Sequence, residues 1–97
     1  MTIETTKDGG KMTLVLEGRL DTTTADTLND ALKLDGVTDL TLNLAKVPYM
    51  SSAGLRCLLT AHKKMAATGG KMRLAGVDGI VKEVLEMTGF LDFFETI

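Results

Sequence analysis

Tryptophan is absent from this chain, and cysteine, histidine and proline each occur once. Each scarcity closes off a class of function. Cys57 has no second cysteine to form an internal disulfide, and with His62 it makes no set of thiol and imidazole ligands for a structural zinc. Lys plus Arg total 11 against 13 for Asp plus Glu, a net charge of −2, and the aromatic residues are Tyr49, Phe90, Phe93 and Phe94. Without a basic block or interleaved aromatics, composition gives no support to nucleic-acid binding. No apolar run reaches the ~18 residues of a membrane span, and Met1-Thr2-Ile3-Glu4 lacks the basic-then-apolar order of a secretion signal. The expectation is a cytoplasmic protein with no direct membrane insertion.

What is present is enough for one domain over residues 1–97, able to bury roughly 65% of the surface its unfolded chain exposes. Glycines punctuate it at nearly regular intervals, which implies short elements. Thr2 to Thr6 reads as an edge strand, Asp8-Gly9-Gly10 as a tight turn, and Met12 to Glu17, where Met12, Leu14 and Leu16 alternate, as its antiparallel partner. Thr23 and Asp26 form a weak capping box ahead of a helical stripe of Ala25, Leu28, Ala31 and Leu32, with Gly36 as the expected terminator. Leu40, Leu42 and Leu44 alternate in the next strand. A helix carrying Leu55, Leu58, Leu59, His62, Met65 and Ala66 follows and closes at Gly69-Gly70. Met72 and Leu74 mark another strand; Asp78 is placed to cap a helix of Ile80, Val81, Val84 and Leu85, ended by Gly89, and Phe90 to Phe94 pack a short last element.

Strands alternating with helices predict an α/β fold: a mixed, mainly parallel sheet of four to five strands with an antiparallel N-terminal edge strand and helices packed against it. In such a fold the loops leaving the carboxyl ends of the parallel strands gather at one rim, where sites are built. Gly18 to Thr24, Val47 to Gly54 and Ala75 to Asp78 are the segments expected there.

Within the second of these, Tyr49-Met50-Ser51-Ser52-Ala53-Gly54-Leu55-Arg56 is where an apolar strand stops beyond Pro48 and an apolar-periodic helix begins. A helix start leaves N–H groups unpaired and carries partial positive charge, so a serine there caps the helix or holds a phosphate. Gly54, lacking a Cβ, either lets a partner backbone approach the serines or relieves crowding between helix and sheet. Cys57 reads as a core or boundary residue, His62 as helix-edge packing and Lys63-Lys64 as a solvated face. There is no Walker-type glycine loop, no general base paired with a serine and no metal cluster, so no catalytic residue, cofactor or metal is expected, and an enzymatic or nucleotide-binding α/β domain is the poorer alternative.

Three segments resemble the STAS-domain family, and specifically the small bacterial anti-sigma-factor antagonists. Leu14 to Asp21 is similar to the family's strand ending in Gly-x-Leu-Asp, Leu42 to Leu59 to its central strand, phosphorylation loop and helix, and Gly69 to Phe90 to its closing strand and helix. The resemblance implies a partner-switching regulator. Its unphosphorylated form binds an anti-sigma factor that is itself a serine kinase, and so releases a sigma factor; phosphorylation ends that binding and a serine phosphatase restores it. Aligned on Gly54-Leu55, the implied acceptor is Ser52. Ser51 stands where the family commonly has Asp, which makes it a second candidate, and Ala53 replaces the usual second hydroxyl residue. Asp21, Thr22, Thr23, Tyr49, Met50, Ser51, Ala53, Gly54 and Arg56 are the residues expected to meet the partner, with the Asp21 carboxylate adding repulsion toward a phosphate. A second STAS-type role is a non-switching subunit, as in a lipid-transport ATPase assembly.

Overall fold

The computed structural model describes residues Met1–Ile97. Strands β1 (Thr2–Asp8) and β2 (Lys11–Glu17) pair antiparallel in full register from Thr2↔Glu17 to Asp8↔Lys11. Only Gly9 and Gly10 lie between them, and Gly9 takes φ 59°, the positive angle that a two-residue hairpin turn needs at its first central position. Helix α1 (Ala25–Ala31) then leads to β3 (Asp39–Lys46), helix α2 (Ser52–Ala67) to β4 (Lys71–Ala75), and helix α3 (Gly79–Met87) to β5 (Glu95–Thr96). The sheet order is β1-β2-β3-β4-β5, with every pair after the first parallel. The expected mixed sheet with an antiparallel N-terminal edge is therefore present, and the short last element is a strand added to β4.

Because successive crossovers step across the sheet in one direction, the same handedness lays all three helices on one face. The burial pattern agrees. Met12, Leu14 and Leu16, then Leu40, Leu42 and Leu44, then Met72 and Leu74 are buried, while Thr13, Val15, Thr41, Asn43 and Arg73 between them are only half-buried. The helices close the core with Leu28, Leu55, Leu58, Ala61, Met65, Val81 and Leu85. Apart from Ala61, each of these side chains contributes about 1.5–3 kcal/mol when taken out of water. On the open face Arg73 donates to Asp39 at 2.6 Å and to Glu95 at 3.3 Å, tying β3, β4 and β5 together with charge instead of apolar contact.

Helix ends follow the chemistry of their residues. Asp78 accepts from the Gly79 N–H at 2.8 Å at the start of α3. Both α2 and α3 end in a Schellman turn: Gly70 N bonds Met65 O and Gly69 N bonds Ala66 O, while Phe90 N bonds Leu85 O and Gly89 N bonds Glu86 O. Helix α1 corrects two expectations. It stops at Ala31 and not at Gly36, because the backbone leaves helical angles at Leu32 so that Leu32 and Val37 both enter the core; Gly36, at φ 75°, turns the following loop. The Thr23–Asp26 capping box does not form, since Thr24 is the N-cap and makes no side-chain cap bond. Cys57 is buried, with its thiol pKa raised chiefly by that burial, and His62 packs against Phe93 with the ring centres 4.5 Å apart and the planes tilted, so both take the packing roles expected of them.

Candidate functional site

The pairing of β2 with β3 continues beyond the strand ends into the two loops that follow. The register slips between Val15 and Glu17, and the Asn43 side chain takes up the Ala45 N–H at 3.0 Å, which turns the end of β3. Gly18 N then donates to Lys46 O at 3.1 Å, Leu20 N to Tyr49 O at 2.9 Å and Ser51 N to Leu20 O at 2.9 Å, so that Leu20 and Met50 form an isolated parallel bridge. Both bridge side chains are buried. The loop bearing the serines is thus held by main-chain bonds above and core side chains below. The loop after β4 reaches the same rim, where Gly76 packs so closely on Ala45 that a Cβ would lie 2.6 Å from the alanine's own.

The alternation along this paired segment sorts the residues that the sequence offered. Tyr49 points outward and Met50 inward, Ser51 is half-buried, and Ser52 is exposed as the first residue of α2. Met50 is 1% exposed, which corrects its place in a partner surface: the bridge to Leu20 turns it into the core. For Gly54 the structure decides between the two readings in favour of relieved crowding, and so removes it from the partner surface. A Cβ there would meet Leu20 Cγ at 2.7 Å, Leu20 O at 2.9 Å and Met50 Cγ at 2.9 Å, so its lack of a side chain serves packing between the loops. Ala53 is half-buried, and Thr22, Thr23 and Arg56 are exposed.

The two serines stand in different environments. Ser51 is the N-cap of α2, with an extended backbone at φ −94° and ψ 178°, yet its hydroxyl makes no cap bond and is buried without a partner. The N–H groups of Ser52, Ala53 and Gly54 precede the first helical bond, Leu55 N to Ser51 O at 3.0 Å, and the first turn holds no acidic residue. The positive end of the helix is left open toward solvent at Ser52.

Asp21 is knotted into its own loop. Its carboxylate accepts from the Thr23 hydroxyl at 2.6 Å and the Thr23 N–H at 3.0 Å, and Arg19 Nε lies 3.4 Å away. The Thr23 hydroxyl bond, above the opposing effect of burial, the Thr23 N–H and Arg19, holds its pKa below the ordinary carboxylate value. Thr24 locks the other side, accepting from Asp21 N at 2.9 Å and donating to Arg19 O at 2.8 Å. Arg19 itself lies over the Tyr49 ring, 4.3 Å from its centroid. Neither Arg19 nor Thr24 stood out in the sequence. Arg19 adjoins the Gly-x-Leu-Asp stretch, but nothing local indicates an aromatic ring from the next loop above it.

The family model of the STAS domain matches residues 2–97. This chain belongs to the STAS-domain family. Among curated STAS relatives, BtrV of Bordetella bronchiseptica is 32% identical over 91 residues, covering 91% of this chain and 78% of its own length. The anti-sigma-B factor antagonist of Staphylococcus aureus is 30% identical over 95 residues, covering 95% of this chain and 88% of its own. The anti-sigma factor antagonist SpoIIAA, in its unphosphorylated form, superposes with a TM-score of 0.75 at 17% identity over 99% of this chain and 87% of its own, and so shares the fold. SpoIIAA is also solved in a phosphorylated form, with a TM-score of 0.72 at 17% identity over 99% of this chain and 91% of SpoIIAA. No helix of this STAS domain is long and apolar enough to cross a membrane.

Proposed function

We propose that this STAS domain is an anti-sigma factor antagonist switched by phosphorylation of Ser52. The observation that carries the reading is the contrast between the serines: Ser52 is exposed at the uncapped start of α2, whereas the Ser51 hydroxyl is turned inward and buried. An acceptor must reach the γ-phosphorus of ATP in another protein's active site, and a buried oxygen cannot do so without unpacking the loop. The relatedness to the Staphylococcus aureus anti-sigma-B factor antagonist supports an anti-sigma factor as the partner. In the reaction the Ser52 hydroxyl oxygen bonds to the γ-phosphorus, the bond to ADP breaks, and the hydroxyl proton passes to a base of the kinase.

Chemically the switch needs no change of fold. Phosphate adds about −1.5 to −2 charges and three strong acceptor oxygens at a helix start that tolerates anions. A partner surface fitted to a neutral hydroxyl then has to desolvate a dianion, at a cost of several kcal/mol if nothing compensates, and each ~1.4 kcal/mol is tenfold in affinity. A serine phosphatase restores the neutral state by hydrolysing the phosphomonoester. Asp21 has a supporting part, because its carboxylate is held by Thr23 and Arg19 and shapes the neighbouring loop.

The test is to incubate the protein with ATP and a candidate anti-sigma factor of the serine-kinase type, map the phosphate by mass spectrometry, and measure binding to that factor before and after. Modification at Ser52, lost in Ser52→Ala and accompanied by at least a tenfold fall in affinity, is the expected result. Equal binding by the unmodified protein and by protein carrying phosphoserine at position 52 overturns it.

A further inference from the structure

The arginines of this chain are Arg19, Arg56 and Arg73, and they are not equally engaged. Arg19 is paired with Asp21 and lies on Tyr49, and Arg73 is paired with Asp39 and Glu95. The remaining ion pair joins Lys46 to Glu17. Arg56 is exposed and has no carboxylate within 4 Å. Its position is specific: it lies four residues after Ser52 on the same helix, which spans Ser52–Ala67. Residues so spaced share a face with their Cβ atoms about 5–6 Å apart, and an anion N-terminal to its cation is the favourable order of such a pair.

From this placement we infer that Arg56 is the built-in counter-ion of the phosphorylated state. The inference rests on the reading of Ser52 as the phosphoacceptor and extends it to what the phosphate meets within the chain. Guanidinium presents a planar fork of N–H donors that matches two phosphate oxygens, and it stays charged at every physiological pH. The first turn of α2 has no acidic residue to compete for it, and the Ser51 hydroxyl does not occupy the helix start. Phosphorylation therefore changes the surface twice: it adds a dianion at Ser52 and withdraws the free guanidinium of Arg56 from any partner carboxylate. The modified surface differs from the unmodified one in charge at both positions, while the backbone stays as it is.

The experiment needs no partner protein, so its outcome is separate from that of the binding test. Protein with phosphoserine encoded at position 52 is prepared with arginine, alanine or lysine at position 56, and the phosphorus NMR shift is followed against pH. With Arg56 the second phosphate ionisation, ordinarily near 6, is expected about half a unit lower than in Arg56→Ala, with Arg56→Lys in between. Raising the salt to about 1 M should shrink the difference, because exposed charges are then screened over about 3 Å. Amide spectra that superpose away from α2 establish that the variants fold alike. Titration curves for Arg56 and Arg56→Ala that coincide within about 0.1 unit overturn the inference, even if phosphorylation of Ser52 still abolishes partner binding.

Discussion

The guanidinium of Arg19 lies 4.3 Å from the centre of the Tyr49 ring, joining the loop after β2 to the loop after β3 on their solvent side. Beneath it the Leu20–Met50 bridge joins the same loops on their core side. An Arg–aromatic pair at the surface is the kind of feature that carries binding energy, because Tyr and Arg are enriched among the residues that dominate interfaces and the ring contact already orders the guanidinium. Arg19→Ala should leave stability within about 1 kcal/mol of the parent, since the Asp21 pair and the ring contact are both exposed. Its effect should fall on partner affinity, lowering it about tenfold in a calorimetric titration; Tyr49→Ala should match it, and the double variant should lose less than the sum.

Gly54 allows a separate test of how the loops are held. Gly54→Ala forces a Cβ to within 3 Å of Leu20 and Met50, so the variant should lose about 1–3 kcal/mol in urea unfolding and keep the same m-value. Leu20→Ala should lower stability by about 2–5 kcal/mol through the cavity it leaves. Unchanged midpoints would mean that the loops yield without cost.

Ser51 should respond in the opposite sense to an ordinary N-cap. Its hydroxyl makes no cap bond and is buried without a partner, so Ser51→Ala removes an unsatisfied group and forfeits no hydrogen bond. Thermal melts should show a Tm equal to or above the parent's, where the loss of a working cap costs about 1 kcal/mol. A clear fall in Tm would show that the hydroxyl rotates to cap α2 in solution.

Acid should weaken the fold through Asp39 and Asp21. The Arg73 hydrogen bond, ahead of the opposing effect of burial, lowers the Asp39 pKa, and the Thr23 hydroxyl does the same for Asp21. A carboxylate with a lowered native pKa binds fewer protons folded than unfolded, so its contribution is complete above the unfolded value near 3.9 and is lost as pH falls through the folded value. Stability measured from pH 7 to 2 should therefore hold until about pH 4 and drop below it. Asp39→Asn should flatten part of that drop while lowering stability at pH 7.

Much of the fold was legible because its signals are local. The alternation of Leu40, Leu42 and Leu44 fixes a strand with one buried face, Gly9-Gly10 fixes a hairpin, and Gly69-Gly70 and Gly89 end their helices through positive φ at the first glycine. The end of α1 was not legible. Its sequence offers Gly36 as a stop, but burial of Leu32 and Val37 breaks the helix earlier, a tertiary gain that outweighs the few tenths of a kcal/mol by which helix propensities differ. At the rim, Asp21, Tyr49 and the two serines could be gathered from topology alone. Which of its two readings Gly54 takes, and that Met50 faces inward, could not.

By itself the sequence determined the order of elements, the single buried face of the sheet and the short segment where a strand gives way to a helix bearing two serines. Only the tertiary structure decided which serine faces solvent, that Met50 belongs to the core, that Arg19 lies on Tyr49 and that Arg56 is left without a carboxylate. The reason is the range of the forces involved. Hydrophobic period and turn chemistry act over a few residues, whereas the orientation of Ser51 and Ser52 is set by hydrogen bonds from Leu20 to Tyr49 and from Ser51 to Leu20, between loops distant in the chain.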